Sequence, residues 1–406
     1  MRHLLQLAGN LSGEFVNSTF PHGYYCGAFF SYLRLLHTYY IPVIIGVGFV
    51  GNLLSCVVFL SSHLKMRSSS CYLAALAAAD FGFLCVVLVV HCSFNDVFDL
   101  YNTDGWCQFF VYVSSVCASL SVWLIVAFTV ERFIAVQWPL QRPHICTVSR
   151  AKAVVLGLTA LAMVSQVYLF WIAGVIQKED DKPECEMRPT YFEFMKIVNF
   201  VDTVATLIVP FVLIVTMNMM IGRNLLLFRR RLQASSIDEY LDTETDKTEL
   251  QHSNAQSGSS NRRQGSQQSH ISQKSNPWRS IKKFNNNQLE RCPCIHIKMS
   301  ARNVASAKSQ QNITKMLLLI SSVFVALNSP SYVIRLSVYF GFTLQEKEPP
   351  ETLYCVQQLA MLLYYTNFSI NFLLYAMCGV TFRRCLWQLL RSNLKRLAGT
   401  PFYSKW

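Results

Sequence analysis

The sequence predicts an all-α integral membrane protein, a seven-transmembrane helix bundle with a short cytoplasmic amphipathic eighth helix. Three observations carry that prediction. The 406-residue chain is 52% hydrophobic and 15% charged, where a soluble domain carries about 25% charged residues. Its apolar residues gather in seven windows, near 38–62, 70–93, 105–131, 152–176, 194–222, 314–340 and 352–378, each long enough for the ~20 residues that cross a bilayer core. The connectors also divide by charge. Those at 94–106, 178–193 and 342–351 hold four basic and twelve acidic residues. The other set holds Lys65, Arg67, Arg142, Arg150, Arg229, Arg230, Arg231, Lys282, Lys283, Arg383 and Arg384. Basic connectors face the cytoplasm, so residues 1–37 are extracellular, 38–379 form the bundle and 380–406 are cytoplasmic. The net charge of +13 therefore follows membrane side and does not point to nucleic acid.

Residues 1–37 carry two N-glycosylation sequons, at Asn10 and Asn17, which an outside segment can present. No short apolar block with a small-residue cleavage site stands out there, so the first span is expected to act as its own insertion signal. That span contains Gly51-Asn52, and the second ends a run of small residues on Asp80. A lone carboxylate at mid-membrane turns away from lipid, and small residues let helices approach closely. The third window opens on Trp106-Cys107, has no charge through Val130, and closes on Glu131-Arg132-Phe133 and Trp138-Pro139-Leu140. Ser114, Cys117, Ser121, Phe128 and Arg132 recur at helical spacing and share one face, which makes this the central helix of the bundle. The fourth span rests on apolarity alone. The fifth carries Pro210, with Asp202 and Asn218 eight residues to either side and on roughly one face.

From 232 to 305 the chain is rich in Ser, Gln and Asn. Such composition buries no core and predicts a disordered third cytoplasmic loop rather than a second domain. The sixth span reads Phe324-Val-Ala-Leu-Asn328-Ser-Pro330, and the seventh ends Asn367-Phe-Ser-Ile-Asn371-Phe372-Leu-Leu-Tyr375. Beyond Gly379, Phe382, Leu386, Leu389, Leu390, Leu394 and Leu397 recur among basic residues, the pattern of a helix lying on the inner leaflet. Cys385 on it is a palmitoylation candidate.

Asn52, Asp80, Cys107, Arg132, Pro210, Phe324, Pro330, Asn371 and Tyr375 fall in the order and spans that mark rhodopsin-like (class A) G-protein-coupled receptors, and the chain resembles that family over all but its tails and residues 232–305. Within it, Asn-Ser-Pro-Ser-Tyr in the sixth span with Asn-Phe-x-x-Tyr in the seventh looks most like invertebrate neuropeptide receptors, those of the CNMamide type among them. Three departures stand out. The fourth span lacks the family's tryptophan and outer proline. Leu327 and Asn328 replace a Cys-Trp pair. Phe372 replaces the proline of Asn-Pro-x-x-Tyr, and Phe leaves the helical ladder intact, so a straighter seventh helix is expected.

The resemblance implies a plasma-membrane receptor that couples an outside ligand to a heterotrimeric G protein, with receptor kinases, arrestin and the lipid bilayer as further partners. It implies a Cys107–Cys185 disulfide, with Cys26 and Cys355 as a second candidate pair. It implies a coupling switch at Glu131, Arg132, Phe133, Asn218, Phe324, Asn328, Pro330, Asn371 and Tyr375. It implies a sodium site at Asp80, Ser121, Asn367 and Asn371, for which a protonated Asp80 bonded to the asparagines is the alternative. No other cofactor is expected. Retinal is set aside because 352–378 contains no Lys, and an amine because Ser114 stands where such receptors hold an acid. A peptide leads, with a lipid or other small non-amine ligand as the alternative. A transporter would show internal repeats, and an enzyme would show a catalytic constellation; neither is found in the spans.

The pocket prediction centres on charge. Asp202 lies outward of Pro210 on its face, and Arg335 five residues outward of Pro330. They either form a structural salt bridge or engage the ligand. Tyr112, Ser114, Tyr332, Tyr354, Gln357 and Gln358 are expected around them. The acidic outer connectors favour a peptide with a basic residue.

Overall fold

Inside hydrocarbon a backbone must satisfy its own N–H and C=O groups, so each apolar window closes on itself as a helix. The computed structural model of the chain describes residues 28–61, 63–95, 97–177, 183–227, 230, 293–338, 340–341 and 350–397. It contains seven helices long and apolar enough to cross a membrane. They lie in α1 (Ala28–Ser61), α2 (Ser68–Phe94), α3 (Trp106–Gln137), α4 (Val148–Ser165), α5 (Phe192–Thr203, continued to Leu227), α6 (Pro293–Val338) and α7 (Glu351–Cys378). The amphipathic α8 (Val380–Leu397) follows after Gly379. The chain divides into two compact units, 1–222 with 311–406, and 223–310. Asn10, Asn17 and Cys26 lie outside the described residues.

Three expected boundaries are corrected. Helix α1 begins at Ala28, ten residues before the predicted window. The fourth window does not stay helical to 176: α4 stops at Ser165, a one-turn helix covers Leu169–Ile172, and Ala173–Gln177 is strand β1. A short unbroken apolar run does not distinguish a buried strand from a helix. Helix α6 begins at Pro293, so 293–305, expected to be disordered, is helical. Proline is tolerated at a helix start, and Lys298, Met299, Ala301 and Arg302 after it are good helix formers.

Strand β1 pairs antiparallel with β2 (Pro183–Met187), Val175 opposite Cys185. Cys185 is bonded to Cys107 in the first turn of α3, with Cα atoms 5.5 Å apart. This hairpin is fastened to the outer end of the bundle. Cys355 is disulfide-bonded as well, and its expected partner Cys26 is not among the described residues.

The core runs along α1, α2 and α7. Ile41, Ile44 and Ile45 pack with Phe83, Leu84 and Val87 and with Leu362, Tyr365 and Phe368, and Phe83 stacks on Phe368 with centroids 3.9 Å apart. Glycine permits the approach. A Cβ on Gly51 would stand 2.8 Å from Phe372 Cβ. The phenylalanine that replaces the family's proline thus packs against a bare backbone. Asn52 fastens the same pair of helices by donating to Phe368 O at 2.8 Å. At the inner end Phe382 of α8 is buried against Phe59 and Tyr375, and Arg383 donates to the last carbonyls of α7, Ala376 and Met377.

Candidate functional site

Three sites line the bundle from inside to outside. At the inner end of α3, Arg132 is 1% exposed and paired with Glu131. Its Nη2 also donates to Ser69 Oγ at 2.7 Å, and Ser68 Oγ donates to Glu131 Oε1 at 2.8 Å. Arg132 Cζ stands 5.8 Å from the Phe128 ring centroid. The guanidinium is thus latched to the start of α2, where serines favour short side-chain hydrogen bonds over helix interior. In the loop beyond, burial lowers the pKa of Arg142, helped by the positive charge of Arg132, and raises that of Cys146, helped by Glu131. Phe133 points elsewhere, edge-on to Trp138 at 5.8 Å.

At mid-membrane, Asp80 is fully buried. Ser121 donates to one carboxylate oxygen at 2.8 Å and Asn371 to the other at 2.7 Å. Asn367 is buried one turn before Asn371. Carboxylate, hydroxyl and amide oxygens are ligand types that suit a hard cation, so these residue types fit sodium, with Asn371 here presenting its amide N–H to Asp80. Elsewhere in the spans several buried polar atoms have no hydrogen-bond partner among the described residues: Asn52 Oδ1, Asn328 Oδ1, Ser321 Oγ and Tyr375 Oη. Asn328 itself donates back to Phe324 O, one turn earlier. Asn218 is half-buried and its Oδ1 is also unpartnered.

The outer site is shaped by Pro210. A proline has no N–H for the carbonyl of Thr206 and its ring crowds that carbonyl. The ladder relaxes into a π-turn over Val204–Ile208, with Val209 N–H bonded to Val204 O, the rare geometry that recurs at functional sites. Thr206 Oγ1 donates to Asp202 O at 2.7 Å. Asp202 then faces a cavity of about 90 Å³ lined also by Ser115, Ser119, Gln166, Tyr168, Thr206, Ser331, Tyr332, Arg335, Met361 and Tyr364. Gln166 and Thr206 flank its carboxylate and Arg335 attracts it from α6.

Asp202, Tyr332 and Arg335 are therefore brought together as the sequence predicts. Other predicted pocket residues are not. Tyr112 turns to α4, donating to Met163 O at 3.0 Å and packing on Phe170. Ser114 is buried and bonded to Val111 O. Gln357 and Gln358 are half-buried on α7 and do not line this cavity; the side chain of Tyr354 is not described. The stripe of α3 singled out from sequence faces α2, where Ser121 meets Asp80 and Cys117 stands against Gly82. The cavity uses the next stripe, Ser115, Ser119 and Val122, whose spacing was equally visible. Gln166, a polar residue inside the fourth window and the C-cap of α4, is a further signal. Cys385 is a free thiol, buried on α8.

A family model described as 7 transmembrane receptor (rhodopsin family) matches residues 51–375. The growth hormone secretagogue receptor type 1 of Sus scrofa is 32% identical over 155 residues, 36% of this chain and 40% of that receptor. Its Homo sapiens counterpart is 29% identical over 197 residues, 46% of this chain and 51% of that receptor. The thyrotropin-releasing hormone receptor of Gallus gallus is 31% identical over 134 residues, 32% of this chain and 33% of that receptor. The chain spans about half or less of the length of these relatives.

Proposed function

We propose, from the premise that this chain belongs to the rhodopsin family of seven-transmembrane receptors, that it is a plasma-membrane receptor for a short peptide and activates heterotrimeric G proteins. Membership makes it a multi-pass receptor and not an enzyme. The peptide reading is carried by one observation, the opposition of Asp202 and Arg335 across a cavity in the outer half of the bundle. A peptide has a donor and an acceptor at every residue and charged groups at its ends, so it can satisfy both sides of such a cavity at once. The described outer-loop acids Asp99, Asp104, Glu184 and Glu186 add a field that steers a basic peptide inward. Relatives named for a growth hormone secretagogue and for thyrotropin-releasing hormone support a hormone-like ligand. An invertebrate neuropeptide, the CNMamide type among them, is the finer form of this reading and rests on the span six and seven motifs.

Binding shifts a two-state bundle by preferring one state. In this reading the ligand exchanges the Asp202–Arg335 attraction for its own contacts, α6 moves, and Arg132 leaves Ser69 and Glu131 for the G protein. Asp80, Ser121, Asn367 and Asn371 would hold a sodium ion in this reading, which would supply positive charge against the carboxylate shared by α2, α3 and α7. Receptor kinases and arrestin would act on the cytoplasmic face.

The test is agonist-dependent nucleotide exchange, first with a panel of amidated neuropeptides read by calcium and cAMP, then on Asp202→Asn, Arg335→Gln and the double variant at matched surface expression. Each single change is expected to lower potency. If neither does, the ligand binds elsewhere; if the double variant recovers what the singles lose, the pair is structural.

A further inference from the structure

A second cavity lies beside the first. It has a volume of about 400 Å³, within the ~300–1,000 Å³ of small-molecule sites, and opens between α3, α4 and α5. Its outer walls are apolar: Trp123 of α3, Leu158 and Leu161 of α4, and Ile197, Val201 and Ala205 of α5. Leu161, Ile197 and Val201 are largely exposed, so this side faces the hydrocarbon of the bilayer. The inner wall differs. Ser119, Gln166, Tyr168, Asp202 and Thr206 line both cavities, so they form a polar partition between a lipid-facing chamber and the pocket inside the bundle. Ser119 and Gln166 are buried. Among the described residues lining the outer chamber there is no lysine or arginine.

We propose that this chamber is a second ligand site, entered sideways from the bilayer, for a single-chain amphiphile with a protonated amine head. The chemistry selects the occupant from both ends. An apolar chain suits walls that already face lipid. The terminal methyl of a bilayer acyl chain, however, would meet a carboxylate, an amide and hydroxyls that already bond one another in part, and would leave their remaining hydrogen-bonding capacity unmet in a dry site. An amine brings three donors and a positive charge to acceptors that carry a negative one. A fatty acid would set its own carboxylate against Asp202, with no cation among the described lining residues to offset it. Asp202 sits in the partition just before the π-turn, so an amine on its outer side competes with Arg335 on its inner side for the same carboxylate. This site differs in entry route and occupant from the peptide pocket, and it stands or falls independently of the peptide reading.

The experiment uses the full-length receptor purified into lipid nanodiscs. The probe is a photoreactive long-chain primary amine of the sphingoid type, and the control is the same chain ending in a carboxylate. Crosslinks are mapped by mass spectrometry. Labelling by the amine is expected to concentrate on peptides containing 158–166 and 197–206, and unlabelled amine should displace it. Asp202→Asn should reduce it by about tenfold or more, as befits loss of a hydrogen bond to a charged group. Ala205→Trp, which fills the chamber from its exposed side, should abolish labelling, while Leu213→Trp, on the same helix but outside the chamber, should not. Ala205 and Leu213 are both exposed, so these variants disturb no core and decide the matter even if Asp202→Asn fails to fold. Equal labelling by the carboxylate, labelling spread evenly over the lipid-facing helices, or labelling unchanged by Ala205→Trp would overturn the proposal.

Discussion

Arg132 carries its charge inside the protein, and what holds it is local to α2 and α3. Glu131 neutralises it and Ser69 takes a further hydrogen bond; among the described residues no hydrogen bond from it reaches α6. Hydrogen bonds to charged groups contribute about 1.5–3 kcal/mol. Ser69→Ala should therefore weaken the resting latch and raise ligand-independent nucleotide exchange, by up to about tenfold where 1.4 kcal/mol is lost from that state alone. Arg132→Ala should remove coupling while leaving the receptor at the surface. Normal signalling by Arg132→Ala would mean the arginine is a structural ion pair. Glu131 and Arg132 were legible because an acid and an arginine ending a charge-free run are conspicuous. Ser68 and Ser69 were not, because serines at the start of a helix are common and only the fold brings them to Glu131. The same holds for Asp80: its need for partners was plain from sequence, and Asn371, 291 residues away, is a partner that only packing selects.

The fifth helix depends on one proline. Restoring the missing N–H by Pro210→Ala should let the ladder close as a regular α-helix, a gain in helix propensity of about 3 kcal/mol. It should also rotate Asp202 out of the cavity. Thermal stability of the purified receptor is then expected to hold or rise while agonist potency falls, and a variant that loses both would place the role of Pro210 in folding alone. Helices α1 and α7 depend on a glycine in the same way. Gly51→Ala drives a methyl to 2.8 Å from Phe372 Cβ, and overpacking of this kind costs about 1–3 kcal/mol, readable as a lower melting temperature. All seven spans were legible from apolar windows, since a bilayer demands length and apolarity of every one. Their ends were not. Helix α1 gains ten residues outside the window, and β1 was taken into the fourth span, because hydropathy records what lipid tolerates and says little about where the hydrogen-bond pattern changes.

For the molecule as a whole, a disulfide ties the hairpin to the start of α3, and apolar packing with hydrogen bonds to Asp80 holds the centre. Losing a native disulfide costs about 2–5 kcal/mol in small secreted domains. Cys107→Ser and Cys185→Ser should each lower the melting temperature and, with the hairpin released, agonist potency; unchanged potency would show that the hairpin has no part in the pocket. If sodium occupies the Asp80 site, agonist affinity should fall as sodium replaces a large inert cation at constant ionic strength, and Asp80→Asn should abolish that dependence. An affinity indifferent to sodium would leave Asp80 as a hydrogen-bonded structural group. Charge segregation sets the expectation of which end faces the cytoplasm, and the number and order of the spans could be read from the apolar windows. The α3 stripe that would meet the ligand could not, because adjacent stripes of serine look alike until neighbours are placed. The smallness of the inner cavity then has a consequence for selectivity. A space of about 90 Å³ suits one side chain or one chain end better than a folded body. On the proposed peptide reading, a receptor built this way would inspect the tip of its messenger closely and its body loosely, so related messengers could diverge along most of their length while the residue at the tip stays under constraint.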